Sequence, residues 1–131
     1  MKQNIFSYRI YYEDTDSGGV VYYANYLKFF ERARTDFLRQ KGVIQSEMAN
    51  KFGLIFVVKN CQIDYVKPAK LDDYINISVD ILEINNASLK LSQIIKRNDE
   101  ILTTLTVNIV CVNSLNFKPT RINKEILSLI K

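Results

Sequence analysis

The sequence predicts an α+β fold, in which one long central helix packs on a curved, five-stranded antiparallel sheet. Two observations support this prediction. Between about residues 22 and 42 the apolar side chains recur with the period of a helix, and after residue 54 they alternate with the period of a strand. Short turns separate the later strands, which is typical of an antiparallel meander.

The first elements are a strand and the long helix. Residues 5 to 12 are rich in β-branched and aromatic side chains, which favours a strand, and Gly18 and Gly19 interrupt that pattern. About 20 residues would make a helix roughly 30 Å long, and Gly42 is placed to end it. The apolar stripe of this helix consists of Tyr26, Phe29, Phe30, Ala33 and Phe37.

Four more strands and two short helices complete the prediction. We expect strands at residues 55 to 66, 74 to 82, 88 to 97 and 101 to 112, a short helical stretch at 45 to 52, and a C-terminal helix from Asn123. In the first of these strands we expect Val57, Cys61, Ile63 and Tyr65 on one face, although Lys59 interrupts the alternation. The apolar faces of the helix and the sheet should then cover each other.

The composition limits the classes of function. A chain of 131 residues is expected to form a single domain, residues 1–131. It contains no histidine, which excludes a Ser-His-Asp triad, a Cys-His dyad and a His-ligated metal site within this chain. Acid-base chemistry must therefore come from Asp, Glu, Lys, Tyr or backbone groups.

The cysteines and the charge suggest the surroundings of the protein. Cys61 and Cys111 lack the CxxC spacing of redox or zinc sites, and we expect both to be small core residues of a cytoplasmic protein. We see neither a signal peptide nor a segment that would insert into a membrane. The net charge of +4 is spread without a basic run, so we expect a small phosphate-bearing ligand rather than nucleic acid.

One short segment combines acids, glycines and a helix entrance. Glu13, Asp14 and Asp16 precede Gly18 and Gly19, and the helix follows directly. Free N–H groups at a helix start stabilise an anion, or a carbonyl oxygen that acquires negative charge. The same residues would also suit a plain turn with acids that interact favourably with the helix dipole, so the pattern alone leaves both interpretations open.

A resemblance to a known family is carried by the run RIYYEDTDSGGVVYYANYLKFFERARTDFL. It resembles the opening signature of hotdog-fold acyl-CoA thioesterases of the 4-hydroxybenzoyl-CoA thioesterase family, especially the branch associated with the bacterial Tol-Pal system. The later run DYVKPAKLDDYINI is compatible with the same family. The resemblance implies a hydrolase that cleaves acyl-CoA to a carboxylic acid and coenzyme A without cofactor or metal. It also implies a homodimer or homotetramer, with acyl carrier protein as a further candidate partner.

The resemblance also implies site residues. Asp16 is the expected catalytic carboxylate, acting as general base or as nucleophile, and the backbone N–H of Tyr23 is expected to polarise the thioester carbonyl. Gly19, Val20 and Asn25 are the expected substrate-binding positions beside them. Many members of the branch have His at the position of Tyr23, and that exchange keeps the backbone N–H.

Other interpretations stay beside this one. A hotdog dehydratase usually needs an active-site histidine, which this chain lacks, and a non-catalytic acyl-ligand or acyl-carrier-binding module is the alternative from another class. Some other hotdog thioesterases place their catalytic carboxylate on the helix, which makes Glu31 a second candidate by resemblance. We expect Glu31 to form an ion pair with Lys28 or Arg34 instead. The cations available for the phosphates of coenzyme A include Lys59, Lys67, Lys70, Lys90 and Arg121.

Overall fold

A computed structural model describes residues 4–131. The elements of this part of the chain are β1 (Ile5–Arg9), α1 (Asn25–Gln40), α2 (Gln45–Phe52), β2 (Leu54–Tyr65), β3 (Tyr74–Ile84), β4 (Ser88–Arg97), β5 (Glu100–Asn113) and α3 (Lys124–Ile130). The first strand is shorter than predicted, because Tyr12–Asp14 form a turn of 3₁₀ helix instead of continuing it. The other predicted elements are confirmed, with ends that differ by at most two residues except at the start of α1.

The five strands form one antiparallel sheet in the order β1-β3-β4-β5-β2. The predicted meander is confirmed for β3, β4 and β5, which are neighbours in the chain and in the sheet. Strand β2 pairs with the far side of β5, and β1 pairs with β3, so these two strands form the edges. The predicted α+β fold with a five-stranded antiparallel sheet is therefore confirmed.

Helix α1 begins later than its apolar period suggests. A separate turn precedes the helix, and in it the N–H of Asn25 donates to the carbonyl of Tyr22 at 2.8 Å. The helix therefore has 16 residues rather than about 20. Its end matches the prediction. Gly42 has a φ of 93°, and the N–H of Val43 donates to the carbonyl of Leu38 at 2.8 Å, which is the Schellman arrangement.

The core lies between α1 and the inner face of the sheet. The predicted helical stripe is buried in full, and its side chains pack on those of the inner face of the sheet. Sheet residues such as Ile77, Leu91 and Val107 supply that face. One buried side chain of α1 is charged: Arg34 is only 9% exposed and lies over the sheet beside Gln93.

A β-bulge changes the faces of β2. The pairing with β5 shifts between Val58 and Asn60, so Lys59 is the extra residue of the bulge. The alternation of inner and outer side chains along β2 is therefore displaced by one residue at Lys59. The prediction that Val57 shares a face with Cys61 was therefore wrong: Val58 precedes Cys61 on the inner face. Cys61 is also exposed, because it lies on an edge strand, whereas Cys111 is buried as predicted.

The C-terminal segment closes one end of the core. The side chain of Asn123 accepts a hydrogen bond from the N–H of Glu125 at 2.8 Å and so caps α3, whose Ile126 and Ile130 are buried. Between residues 4 and 131, the helices all fall short of the length and apolarity that crossing a bilayer demands.

Candidate active site

Asp16 begins a tight turn between β1 and α1. The N–H of Gly19 donates to the carbonyl of Asp16 at 3.1 Å, and the N–H of Asp16 donates to the carbonyl of Val20 at 2.9 Å. Gly19 has a φ of 79°, a conformation that favours glycine. A bridge between Thr15 and Val21 continues this small hairpin. The sequence folds locally in this way because it places glycines where the chain must reverse.

The carboxylate of Asp16 is fixed by its own turn. Its Oδ1 accepts a hydrogen bond from the N–H of Gly18 at 2.8 Å, and no second donor reaches the carboxylate among residues 4–131. A Cβ atom at Gly18 would lie 3.2 Å from that oxygen, which is closer than side chains normally pack. Asp16 is exposed, so one carboxylate oxygen is oriented while the other is free to meet a ligand or a water molecule.

The segment before β3, which includes Ala69 and Leu71, is hydrogen-bonded to the turn. The N–H of Leu71 donates to the carbonyl of Gly19 at 3.1 Å, and the N–H of Val21 donates to the carbonyl of Ala69 at 2.9 Å. The N–H of Ala69 in turn donates to Oη of Tyr26, on α1, at 3.0 Å. Burial raises the pKa of Tyr26, and the bond from Ala69 lowers it by less. These bonds join the turn to both the helix and the sheet.

Tyr23 and Asn25 lie at the entrance to α1. The N–H of Tyr23 has no acceptor among the residues that the structure describes, so it is available to a ligand. Asn25 is half-buried and donates from Nδ2 to the carbonyl of Asp14 at 2.9 Å, which ties the helix start to the loop. The N–H of Tyr22 donates to the same carbonyl at 3.2 Å. The structure thus brings the Asp16 turn and the helix entrance together as two ends of one short loop.

Gly19 and Val20 differ in whether their backbone groups are already hydrogen-bonded within the protein. Both backbone groups of Gly19 are used within the protein, as described above. The N–H of Val20, by contrast, has no acceptor in the described part of the chain, and Val20 forms a bridge with Lys70. Of the predicted substrate-binding positions, Val20 therefore keeps a free donor, while Gly19 and Asn25 hold the loop in shape.

Tyr65 belongs to this region and was not predicted as a site residue. Its hydroxyl donates to the backbone carbonyl of Tyr23 at 3.1 Å, and the centres of the two rings are 6.5 Å apart. Partial burial and the neighbouring Tyr23 and Cys61 raise the pKa of its hydroxyl. The sequence offered one signal, a tyrosine at the end of the strand that precedes Pro68, but not the pairing that brings this strand end to the helix entrance.

The structure also shows the contacts of three other residues considered in the sequence, which are Asp14, Glu31 and Lys67. The carboxylate of Asp14 accepts the N–H of Tyr11 at 2.8 Å and so orders the 3₁₀ turn. Glu31 is exposed and forms no ion pair with residues 4–131, so the predicted pair with Lys28 or Arg34 was wrong. Of the candidate cations for coenzyme A, Lys67 forms an ion pair with Glu100, in which Nζ lies 2.6 Å from Oε2.

No preformed metal centre stands out in this region. Across residues 4–131, three or more Cys, Asp or Glu side chains nowhere come together in a way that could hold a metal ion.

A long helix on a five-stranded antiparallel sheet, with an acidic turn at the helix entrance, defines the class of hotdog-fold proteins. The model of the thioesterase-like superfamily matches residues 11–130, and the chain belongs to that family.

Named relatives match nearly the whole chain. The acyl-CoA thioesterase YbgC of Haemophilus influenzae is 44% identical over 128 residues, which are 96% of this chain and 94% of the relative. The acyl-CoA thioester hydrolase YbgC of Escherichia coli is 41% identical over 94% of this chain and 92% of its own. Among solved structures, a probable thioesterase from Bartonella henselae has a TM-score of 0.88 at 35% identity, covering 93% of this chain and all of that one.

Proposed function

We propose that the protein hydrolyses acyl-CoA thioesters to a carboxylic acid and coenzyme A, acting as a single domain in the cytoplasm. The observation that carries the proposal is the arrangement of Asp16, whose carboxylate is oriented by Gly18 and otherwise free, on the same short loop as the unpaired N–H of Tyr23. The relatives named as acyl-CoA thioesterases support the same reaction.

The reaction needs a nucleophile and a group that stabilises the developing oxyanion. In one route the carboxylate of Asp16 takes a proton from water while the water oxygen bonds to the thioester carbon. In the other route a carboxylate oxygen of Asp16 attacks that carbon itself, and water then hydrolyses the anhydride. In both routes the C–S bond breaks, and coenzyme A leaves as a thiolate that takes up a proton. A thiolate is a good leaving group, so the reaction does not depend on histidine as an acid.

The N-terminal end of α1 can stabilise the oxyanion by hydrogen bonding. The N–H of Tyr23 lies just before α1, where the helix dipole contributes partial positive charge. A donor that is fixed before the reaction is typically worth about 2.7–4 kcal/mol in the barrier of acyl transfer. The hydroxyl of Tyr65 binds the carbonyl of Tyr23 and so helps to set the direction of the following peptide. The free N–H of Val20 is a second candidate donor toward the substrate.

The proposed assembly is a homodimer, or a homotetramer built from dimers, joined through β2. This strand has 12 residues and lies at the edge of the sheet, where its outer hydrogen-bonding groups have no partner strand in the described chain. On its inner face Val58 is 50% exposed and Tyr65 is 46% exposed. An exposed edge of this length favours pairing with a second copy. Light scattering coupled to size-exclusion chromatography would measure the mass.

The experiment that tests the function is thiol release by the purified protein from a panel of aliphatic and aromatic acyl-CoAs. We expect turnover of at least one class of acyl chain without added metal or cofactor. Binding of acyl-CoA without any thiol release would instead favour a non-catalytic acyl-ligand or acyl-carrier-binding module.

A further inference from the structure

Arg34 is a buried cation that the proposed reaction does not use. It projects from α1 toward the sheet and is 9% exposed, yet it forms no ion pair with any residue between 4 and 131. Its Nη1 donates to Oε1 of Gln93 at 3.0 Å. A buried guanidinium normally faces a carboxylate, because burial of an uncompensated charge is unfavourable. Burial lowers the pKa of Arg34, and the charges of Glu31 and Cys61 raise it by less.

Gln93 fixes the direction of this guanidinium. Its Nε2 donates to the backbone carbonyl of Phe30 at 3.0 Å, so its Oε1 must turn toward Arg34. Gln93 is completely buried. Arg34 has five N–H donors, and Gln93 accepts from only one nitrogen. In the described chain, the one fully buried side-chain nitrogen or oxygen without a hydrogen-bond partner is Oγ1 of Thr103. The other guanidinium nitrogens of Arg34 therefore keep some exposed surface.

Arg34 also lines a cavity. The cavity has a volume of about 100 Å³ and lies between α1 and β2, and its lining includes Arg34, Glu31, Phe56 and Val58. Two further polar residues of the lining, Thr35 and Gln45, are hydrogen-bonded to each other at 3.1 Å and form no hydrogen bond with Arg34. The cavity is therefore apolar along β2 and carries the charged side chains of Arg34 and Glu31 on the side of the helix.

A continuous surface connects this cavity with the helix entrance. Tyr65, Ile63, Cys61 and Val58 follow one another on the inner face of β2, because the bulge at Lys59 brings Val58 onto that face. Tyr65 contacts the backbone of Tyr23 at one end, and Val58 lines the cavity at the other. From Tyr65 to Cys61, which lies near Arg34, four residues of strand span roughly 13 Å.

We infer that Arg34 determines specificity by binding an oxygen acceptor at the far end of the acyl chain, and that an ω-carboxylate suits it best. This inference rests on the proposed function. The apolar middle of the chain would lie along the inner face of β2, and the terminal carboxylate would accept hydrogen bonds from the free side of the guanidinium. Glu31 lines the same cavity, but its side chain is exposed, so water screens its repulsion of a bound carboxylate.

The test compares straight-chain acyl-CoAs of graded length with ω-carboxyacyl-CoAs of the same length. For the wild type we expect kcat/KM to favour the ω-carboxy substrate at one length by about ten- to a hundredfold, the range for a charge-assisted hydrogen bond. In Arg34→Leu that ratio should fall to about one, mainly through KM, while turnover of the plain chains continues. Arg39→Leu removes an exposed cation of the same helix and should keep the wild-type ratio.

A second variant guards against loss of the fold. Arg34→Leu leaves Oε1 of Gln93 unpaired in the core, whereas Arg34→Leu combined with Gln93→Leu removes both partners and should fold more readily. The double variant should show the same loss of preference. Equal use of both substrate series by the wild type, or a preference that survives in both variants, would overturn the inference and leave the thioesterase function standing.

Two further outcomes are informative. If the Arg34 variants change the mass of the assembly and leave the substrate ratio unchanged, Arg34 serves contact with a second copy, and the inference is wrong. If the wild type releases no thiol from either series, the proposed function fails, and this inference fails with it.

Discussion

Replacing Tyr26 with Phe removes one oxygen atom beneath the candidate catalytic loop. Tyr26 is 4% exposed, and its Oη is the acceptor for the N–H of Ala69, which is completely buried. The phenyl ring keeps the packing, so the main cost is a buried N–H without a partner, about 1–3 kcal/mol in the free energy of unfolding. Because the carbonyl of Ala69 holds Val21, we also expect a moderate loss of kcat from a less rigid loop.

The pH dependence of this variant gives a second, independent readout. Burial raises the pKa of Tyr26 above its ordinary value of 10.0 in the folded protein. The unfolded chain therefore loses this proton first as the pH rises, so the wild type loses stability between pH 10 and the higher folded pKa. Phe has no such proton. The difference between wild type and variant should be fully present below pH 10 and should shrink above it.

The assay is urea denaturation at neutral and alkaline pH, at one fixed protein concentration because an oligomer is expected. Tyr12→Phe is the matched control, since Tyr12 is 81% exposed and its stability effect should be close to zero. If Tyr26→Phe is as stable as the wild type at neutral pH, the bond to Ala69 does not support the loop as argued.

Three further predictions concern the loop and the surface. Gly18→Ala should lower kcat with little change in the free energy of unfolding, because its Cβ would press on the carboxylate of Asp16 from 3.2 Å; kinetics and denaturation on one sample check this. Tyr65→Phe removes the bond to the carbonyl of Tyr23, and a two- to tenfold loss of kcat/KM, roughly the effect of one exposed hydrogen bond, should appear in steady-state assays. The pKa of Glu100 is lowered by hydrogen bonds from two cationic neighbours, so its contribution to stability is present above about pH 4.5 and is lost as the pH falls through the folded pKa. Acid denaturation should therefore be less steep in Glu100→Gln.

Local pattern was enough to predict most of the elements. The spacing of apolar residues from Tyr26 to Phe37 identified the buried face of α1, and Gly42 marked its end, because both features depend on neighbours within a few residues. The short loop with Asp16 was likewise visible, since its glycines and its acid are adjacent in sequence. Asn98 has a φ of 56° between β4 and β5, in the gap that the sequence left between the strands at 88 to 97 and 101 to 112.

Features that depend on distant residues were missed. The bulge at Lys59 exchanged the faces of β2, and a strict period of two assigned Val57 to the wrong face. Cys61 is exposed because β2 lies at the edge of the sheet, and strand order cannot be derived from the composition of one strand.

The partners of the candidate site were hidden for the same reason. The contact of Tyr65 with Tyr23 spans 42 residues, and the bond between Arg34 and Gln93 spans 59. Such pairs come together only when the helix packs on the sheet, so the sequence revealed the acid and the loop but not the groups that surround them.

The most direct test of the central claim is kcat/KM for thiol release by Asp16→Asn, beside the wild type and the exposed control Asp80→Asn. The Asn side chain keeps an oxygen that can accept from the N–H of Gly18, so the turn should survive while the negative charge is lost. We expect Asp16→Asn to lose about 10²- to 10⁴-fold with unchanged stability, and Asp80→Asn to match the wild type. If Asp16→Asn turns over acyl-CoA as fast as the wild type, Asp16 is not the catalytic carboxylate and the proposed mechanism is wrong.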